Sequence, residues 1–204
     1  MRVTDCRVWT LGLALMMAAP LVAQTPMRRM EPAPATAAQV IARQLASTGR
    51  EIVAAAEAMP ADKYNFAPPD RDGNFAGVRT FAQQVKHLAV SNYSYGAAIL
   101  GQKPPVASGA NENGPTDLTN KDAIVKLLRD SFNYAVSAVN NIRPDQQLQA
   151  ARPGTRANSS RLATATAIAP HAMDHYGQMV EYLRMNGLTP PASATSAPAN
   201  PKKK

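Results

Sequence analysis

Three histidines, His87, His171 and His175, are all that the chain contains. His171 and His175 are four residues apart. On an α-helix they share one face, about one turn apart. That spacing lets two imidazoles bind one metal ion. It is the spacing of the HExxH motif, but the glutamate of that motif is absent, because Ala172-Met173-Asp174 stands between the two histidines. A third imidazole from elsewhere in the chain would complete a set of three neutral nitrogen ligands. Such a set suits a borderline divalent ion, zinc or nickel first, then copper, cobalt or iron. Three protein ligands leave a coordination position free, which is the pattern of catalytic rather than structural sites. Two other readings of the same residues stay open. A fourth protein group would close the site and make a non-catalytic metal- or ligand-binding bundle. Alternatively, the imidazoles are hydrogen-bonded residues packed in a core.

The elements that would position the histidines are helices. Four segments carry a 3.6-residue apolar period. In the first, Ile41, Leu45, Thr48, Ile52, Ala55 and Met59 form one stripe, and Pro60 stops it. In the second, Thr80 and Gln83 form a capping box ahead of Phe81, Val85, Leu88, Asn92, Tyr95 and Ile99. The third is predicted to be capped by Thr119 and to carry Ile124, Leu128, Phe132, Ala135, Val139 and Ile142. The fourth spans about residues 162–186, with Ile168, Ala172, Tyr176, Met179 and Leu183 facing one way. Pro170 falls inside it, and a kink is expected there. Met173, Met179 and Met185 are expected to fill the core. No segment alternates as a strand would. The expected fold is all-α, a four-helix bundle with long connecting loops at 60–79, 101–118 and 143–160.

Angular bookkeeping brings His87 into the set. His171, His175, Gln178 and Tyr182 form a row one residue before the apolar stripe of the fourth segment. Gln84, His87, Ser91 and Ser94 form a row in the same relation to the stripe of the second. Two polar rows beside two apolar rows are placed to face each other at one rim of a bundle. The metal ligands expected are therefore His87, His171 and His175. Ser91, Gln178 and Tyr182 are expected to support them or to touch substrate. No catalytic residue is assigned, and Asp174 is a weak choice as a supporting carboxylate.

Residues 1–23 read as a secretory signal. Arg2 and Arg7 precede an apolar run at 8–19, and Ala23 supplies a small residue for cleavage. The run is short for a bilayer, so no stable membrane span is expected after cleavage, and the protein is expected to be periplasmic or secreted. Cys6 is the only cysteine and would be removed. That leaves no disulfide, thiol nucleophile or thiolate ligand. The formal net charge is +8. The basic residues form no stripe interleaved with aromatics, so no nucleic acid is expected as a partner. Residues 24–36 read as a flexible linker, 37–190 as the folded domain and 191–204 as a disordered basic tail. There is no CxxCH, no GxSxG, no P-loop and no ExxH pair, which excludes c-type haem and argues against a ferritin-like di-iron bundle.

Three stretches of the chain resemble the DinB family of four-helix bundles. One is Gly77-Val78-Arg79-Thr80-Phe81 with His87-Leu88-Ala89 and Asn92-Tyr93. The second is Leu128-Arg129-Asp130-Ser131-Phe132-Asn133-Tyr134. The third is His171-Ala172-Met173-Asp174-His175-Tyr176-Gly177-Gln178, followed by Tyr182-Leu183-Arg184-Met185-Asn186-Gly187 and Pro190-Pro191. The resemblance covers about 37–191. It implies a metal triad of one histidine from the second helix and an HxxxH pair from the fourth, which fall on His87, His171 and His175. It also implies an up-up-down-down bundle and frequent dimers, so a homodimer is expected. The implied reaction is that of a metal-dependent hydrolase or group-transfer enzyme on a small-molecule substrate of unknown identity. The chain departs from the family's thiol-dependent transferases in carrying an export signal and no thiol-binding motif.

Overall fold

The computed structural model describes residues 35–151 and 159–196. The expected signal, the expected linker up to residue 34 and residues 197–204 lie outside the described residues. Four long helices build the fold: α1 (Ala37–Ala58), α2 (Phe81–Leu100), α3 (Lys121–Asn140) and α4 (Arg161–Met185). No helix among the described residues is long and apolar enough to cross a membrane.

Each helix starts where a side chain can satisfy its free N–H groups. Thr36 and Thr80 accept from the backbone N–H three residues on, while Gln39 and Gln83 accept from the N–H of the cap residue. The second of these boxes is the predicted one. The first draws Thr36, assigned to the linker, into the ordered domain. Helix α3 starts one residue later than predicted, because Asn120 rather than Thr119 reaches the Ala123 N–H, at 3.1 Å. Helix α4 runs through Pro170 without ending or restarting. Pro170 and Thr166, whose carbonyl loses its helical partner, are both exposed, so water can satisfy that carbonyl. The tail is also more ordered than expected. Pro191–Ser196 form a short helix, α5, lying against α1. Proline suits the first position of a helix, because the N–H it lacks would be unpaired there anyway.

The apolar stripes meet in one core. Leu45, Ile52, Phe81, Leu88, Leu128, Ile168, Met179 and Leu183 are all fully buried in it. Of the three methionines expected there, only Met179 is buried, whereas Met173 and Met185 are 41% and 43% exposed. Glycines allow the close approaches. A Cβ on Gly49 would stand 2.9 Å from two ring atoms of the buried Phe132, and one on Gly96 would stand 2.8 Å from the Tyr134 ring. Gly49→Val is therefore expected to destabilise the fold by about 2–3 kcal/mol through overpacking. The helix-propensity gain returns only about half a kcal/mol. Urea unfolding measures the difference.

The all-α four-helix bundle is as expected, but the direction of its helices is not. Helices α1 and α2 occupy opposite corners, as do α3 and α4, so each packs on both members of the other pair. Along the α1–α3 contact the order reverses: Gly49 meets Phe132, while the carboxylate of Glu57 pairs with Arg129 and its carbonyl with Lys121. Along α2–α4 it also reverses, since Gln84 meets Gln178 and His87 meets His171. Along α2–α3 it advances together, since Asn92 meets Ser131 and Gly96 meets Tyr134 and Ala138. The bundle is thus up-down-down-up, not up-up-down-down. Parallel α2 and α3 require a connection that returns along the bundle. A 20-residue helix is about 30 Å long, and residues 101–120 are numerous enough to cover that distance. This crossover runs beside α2. Lys86, near the start of α2, donates to the carbonyls of Pro115 and Leu118, just before α3 begins. With α3, α4 and the crossover around it, α2 is buried on nearly every side, its polar residues Gln84, Lys86 and His87 included.

Candidate metal centre

The three histidines converge. His87 projects from α2, and His171 and His175 from α4, so that one ring nitrogen of each lies within 4.8 Å of the others. The ring centroids of His87 and His175 are 4.6 Å apart, and those of His171 and His175 are 4.8 Å apart. His87 Nε2 and His171 Nε2 are 3.3 Å apart. The rows read from the sequence face each other because α2 and α4 are antiparallel neighbours.

Hydrogen bonds fix two of the three rings. A carbonyl can only accept, so His87 Nδ1–H donates to the Glu112 carbonyl, at 2.9 Å. His175 Nδ1–H donates to Gln84 Oε1 at 2.8 Å. Both rings therefore present a lone pair at Nε2. Gln84 in turn donates from Nε2 to Gln178 Oε1 at 2.6 Å, and Gln178 donates to Asp174 Oδ2 at 3.4 Å. A chain of amides thus links His175 to the exposed carboxylate of Asp174. Tyr182 donates its hydroxyl to the Arg79 carbonyl at 3.0 Å. Burial raises the pKa of that phenol, and a hydrogen bond with Gln84 lowers it.

The donor set fits a divalent ion. Among the described residues His171 Nδ1 is buried and has no hydrogen-bond partner. His171 Nε2 faces a nitrogen whose lone pair points at it. Without a cation, one nitrogen of His171 is therefore always unsatisfied. Two nitrogens each about 2.05 Å from one ion at the tetrahedral angle stand about 3.3 Å apart, which is the His87–His171 separation. The electrostatics agree. Burial lowers the pKa of all three imidazoles, so they stay in the neutral form that ligates. His175 is lowered to about 4, by burial first and then by the two neighbouring imidazoles.

That depression has a measurable consequence in metal-free protein. In the unfolded chain an imidazole takes up its proton near pH 6.5. The native His175 does so only near 4. Between those values the unfolded state binds more protons, so stability rises with pH and is lost as pH falls from about 6.5 to about 4. At roughly 1.4 kcal/mol per pH unit, His175 accounts for up to about 3 kcal/mol of that loss. Urea unfolding of the wild type and of His175→Gln, from pH 4 to 7, isolates the contribution. A wild-type slope no steeper than that of the variant would refute it.

A cavity of about 490 Å³ opens on one side of the cluster. His87 and His171 border it, with Ser91, Ser94, Tyr95 and Glu112. His175 lies behind them, against Gln84. Of the three supporting residues expected, only Ser91 reaches the cavity. Gln178 and Tyr182 sit on the far side, around Gln84 and Arg79. Two groups escaped assignment from sequence. Gln84 stood in the polar row of His87, and its place one turn before His87 was the available signal. Glu112 carried none, because it acts through its backbone carbonyl from a loop.

A protein-family comparison matches residues 44–179, well over half of the chain, to the DinB superfamily. The chain belongs to the DinB superfamily. The matched segment holds His87, His171 and His175, and the residues that carried the resemblance in α2, α3 and the first part of α4 fall within it. No curated protein matches the chain.

Proposed function

We propose that this DinB-superfamily protein is an exported metal-dependent enzyme, a hydrolase or group-transfer catalyst acting on a small molecule. His87, His171 and His175 hold a divalent ion, zinc or nickel. The observation that carries the reading is the convergence of three neutral imidazoles, two of which border a cavity large enough for a small-molecule substrate. When bound, the ion supplies a Lewis acid for a substrate oxygen or nitrogen. The chain's own residues do the rest. Ser91 lies one turn beyond His87 and offers a hydroxyl to the substrate. Gln84 aims His175, and Gln178 and Tyr182 hold Gln84 in place. The hydroxyls of Ser94 and Tyr95 orient polar groups of the substrate within the cavity.

Cobalt substitution tests this reading. Cobalt-loaded protein is expected to hold one ion per chain. Its visible absorption is expected to change on adding azide, because an exogenous anion needs a position that the protein leaves free. Loaded and chelator-stripped protein are then compared on activated esters and amides and on transfer to small nucleophiles. A spectrum that azide does not move, together with no metal-dependent turnover, would leave an ion-binding bundle without catalysis. Export rests on the basic and apolar pattern of residues 1–23. It is tested by sequencing the amino terminus of the protein from the periplasm or medium, expected near Gln24.

A further inference from the structure

The crossover between α2 and α3 does more than return the chain. Its segment 108–118 crosses α2 at His87 and is pinned there from both sides. Arg79 donates from Nε to Asn113 Oδ1 at 2.8 Å and from Nη2 to the Asn111 carbonyl at 3.1 Å. Lys86 donates to the Pro115 carbonyl at 2.7 Å and to the Leu118 carbonyl at 3.2 Å. Arg79 holds the residues on either side of Glu112, whose carbonyl meets His87, and Lys86 holds the segment beyond them.

The segment is built for this place at a conformational cost. Asn111 and Glu112 both have left-handed backbones, with φ of 54° and 58°. Such a backbone is unfavourable for a residue other than glycine and persists where its surroundings over-determine it. Gly109 and Gly114 close the turn, with Gly114 N–H donating to the Ser108 carbonyl at 2.8 Å. Both have φ near +70°, and a Cβ on Gly109 would lie 2.4 Å from the Gly114 carbonyl oxygen. A free loop would relax out of this shape. The four hydrogen bonds from Arg79 and Lys86 are what oppose the relaxation.

The reason to hold the Glu112 carbonyl there is chemical. A neutral imidazole carries one N–H, and the two tautomers differ little in free energy. With no acceptor at Nδ1, His87 can carry its proton on Nε2 and donate it to His171 Nε2, 3.3 Å away. A proton in that position occupies the lone pair needed for a metal. With the carbonyl in place, the proton is drawn to Nδ1. We propose that the 108–118 strap is a constituent of the metal centre, and that Arg79 and Lys86 are positioning residues which, through the Glu112 carbonyl, keep His87 in the tautomer with a free Nε2.

This inference rests on the metal-binding reading, but its test separates the two. Nitrogen-15 spectra of metal-free protein report the tautomer of each histidine directly. In the wild type, His87 and His175 are expected to be protonated at Nδ1 alone. In Arg79→Gln, in Lys86→Met and in the milder Asn113→Ala, which removes only one acceptor of the grip, His87 is expected to become a tautomer mixture. His175, held by Gln84, should not change and serves as the internal control. The zinc dissociation constant, from competition with a chromophoric chelator, is expected to rise about tenfold or more. His87 remaining purely Nδ1-protonated in all three variants overturns the proposal, whatever the metal content. A wild type that binds no zinc, with the tautomer shift still present in the variants, overturns the metal reading and leaves the role of the strap standing.

Discussion

His171→Ala is expected to abolish tight binding of a divalent ion while leaving the bundle folded. If an apparent binding free energy of about 12 kcal/mol is shared by three imidazoles, each contributes about 4 kcal/mol, or close to a thousandfold in affinity. His171 is the cleanest of the three to remove. Its Nδ1 has no partner among the described residues, and its Nε2 contact with His87 Nε2 lies at the cavity, where water can take its place. His175→Ala, in contrast, leaves the buried Gln84 carbonyl without its donor. Thermal melting reads the result. At free metal a thousandfold above its dissociation constant, the ion stabilises the native state by about 4 kcal/mol. For a domain of this size that is a shift in Tm of roughly 8–16 °C. The wild type should lose this increment on adding chelator, and His171→Ala should melt alike with and without it. A wild-type melt insensitive to chelator would mean that three histidines are simply packed together.

Gln84 should matter nearly as much, although it cannot touch the ion if His175 does. Gln84→Leu removes the acceptor of His175 Nδ1–H and the donor to Gln178 together. A 10- to 100-fold loss of metal affinity is expected, the range seen when the hydrogen-bond partner of a ligating histidine is removed. Leaving a buried imidazole N–H unpaired also costs about 1–3 kcal/mol of stability. Gln84→Glu separates the two roles. Its carboxylate still accepts from His175 and makes the imidazole more basic, so metal affinity should be kept or improved. It cannot donate to Gln178, and the two oxygens would repel. Competition titration and urea unfolding of both variants decide the matter. Equal loss of affinity in Leu and Glu variants would show that Gln84 acts by shape alone.

The helices and two of the polar rows were readable because both are local. Leu45, Ile52, Leu88, Leu128 and Leu183 recur at the period of a helix, and that period alone places them inward. The capping box at Thr80 and Gln83 was legible for the same reason, since both its bonds close within three residues. Thr119 failed as a cap because two adjacent residues, Thr119 and Asn120, can each cap, and only the path of the crossover decides between them. Pro170 did not end α4, because the apolar period continues on both sides of it, with Ile168 and Ala172 both buried. Met179 fills the core as expected, whereas Met173 and Met185 do not, because they sit outside the apolar stripe that holds Met179.

By itself, the sequence determined the four helices, their buried faces and the chemistry available at the rim: two histidines one turn apart on α4 and a third in the matching row of α2. These follow from residue types and spacing, which need no knowledge of the neighbours. Tertiary structure decided what the rows meet. Making α2 and α3 parallel forces a long crossover, and that crossover lays the Glu112 carbonyl on His87 through backbone atoms that no residue type announces. Antiparallel packing of α2 on α4 sets Gln84 against His175 and leaves Ser91 facing the cavity, with Gln178 and Tyr182 behind. The direction of each helix depends on contacts between residues some 40 to 100 positions apart, and periodicity within a segment carries no record of them.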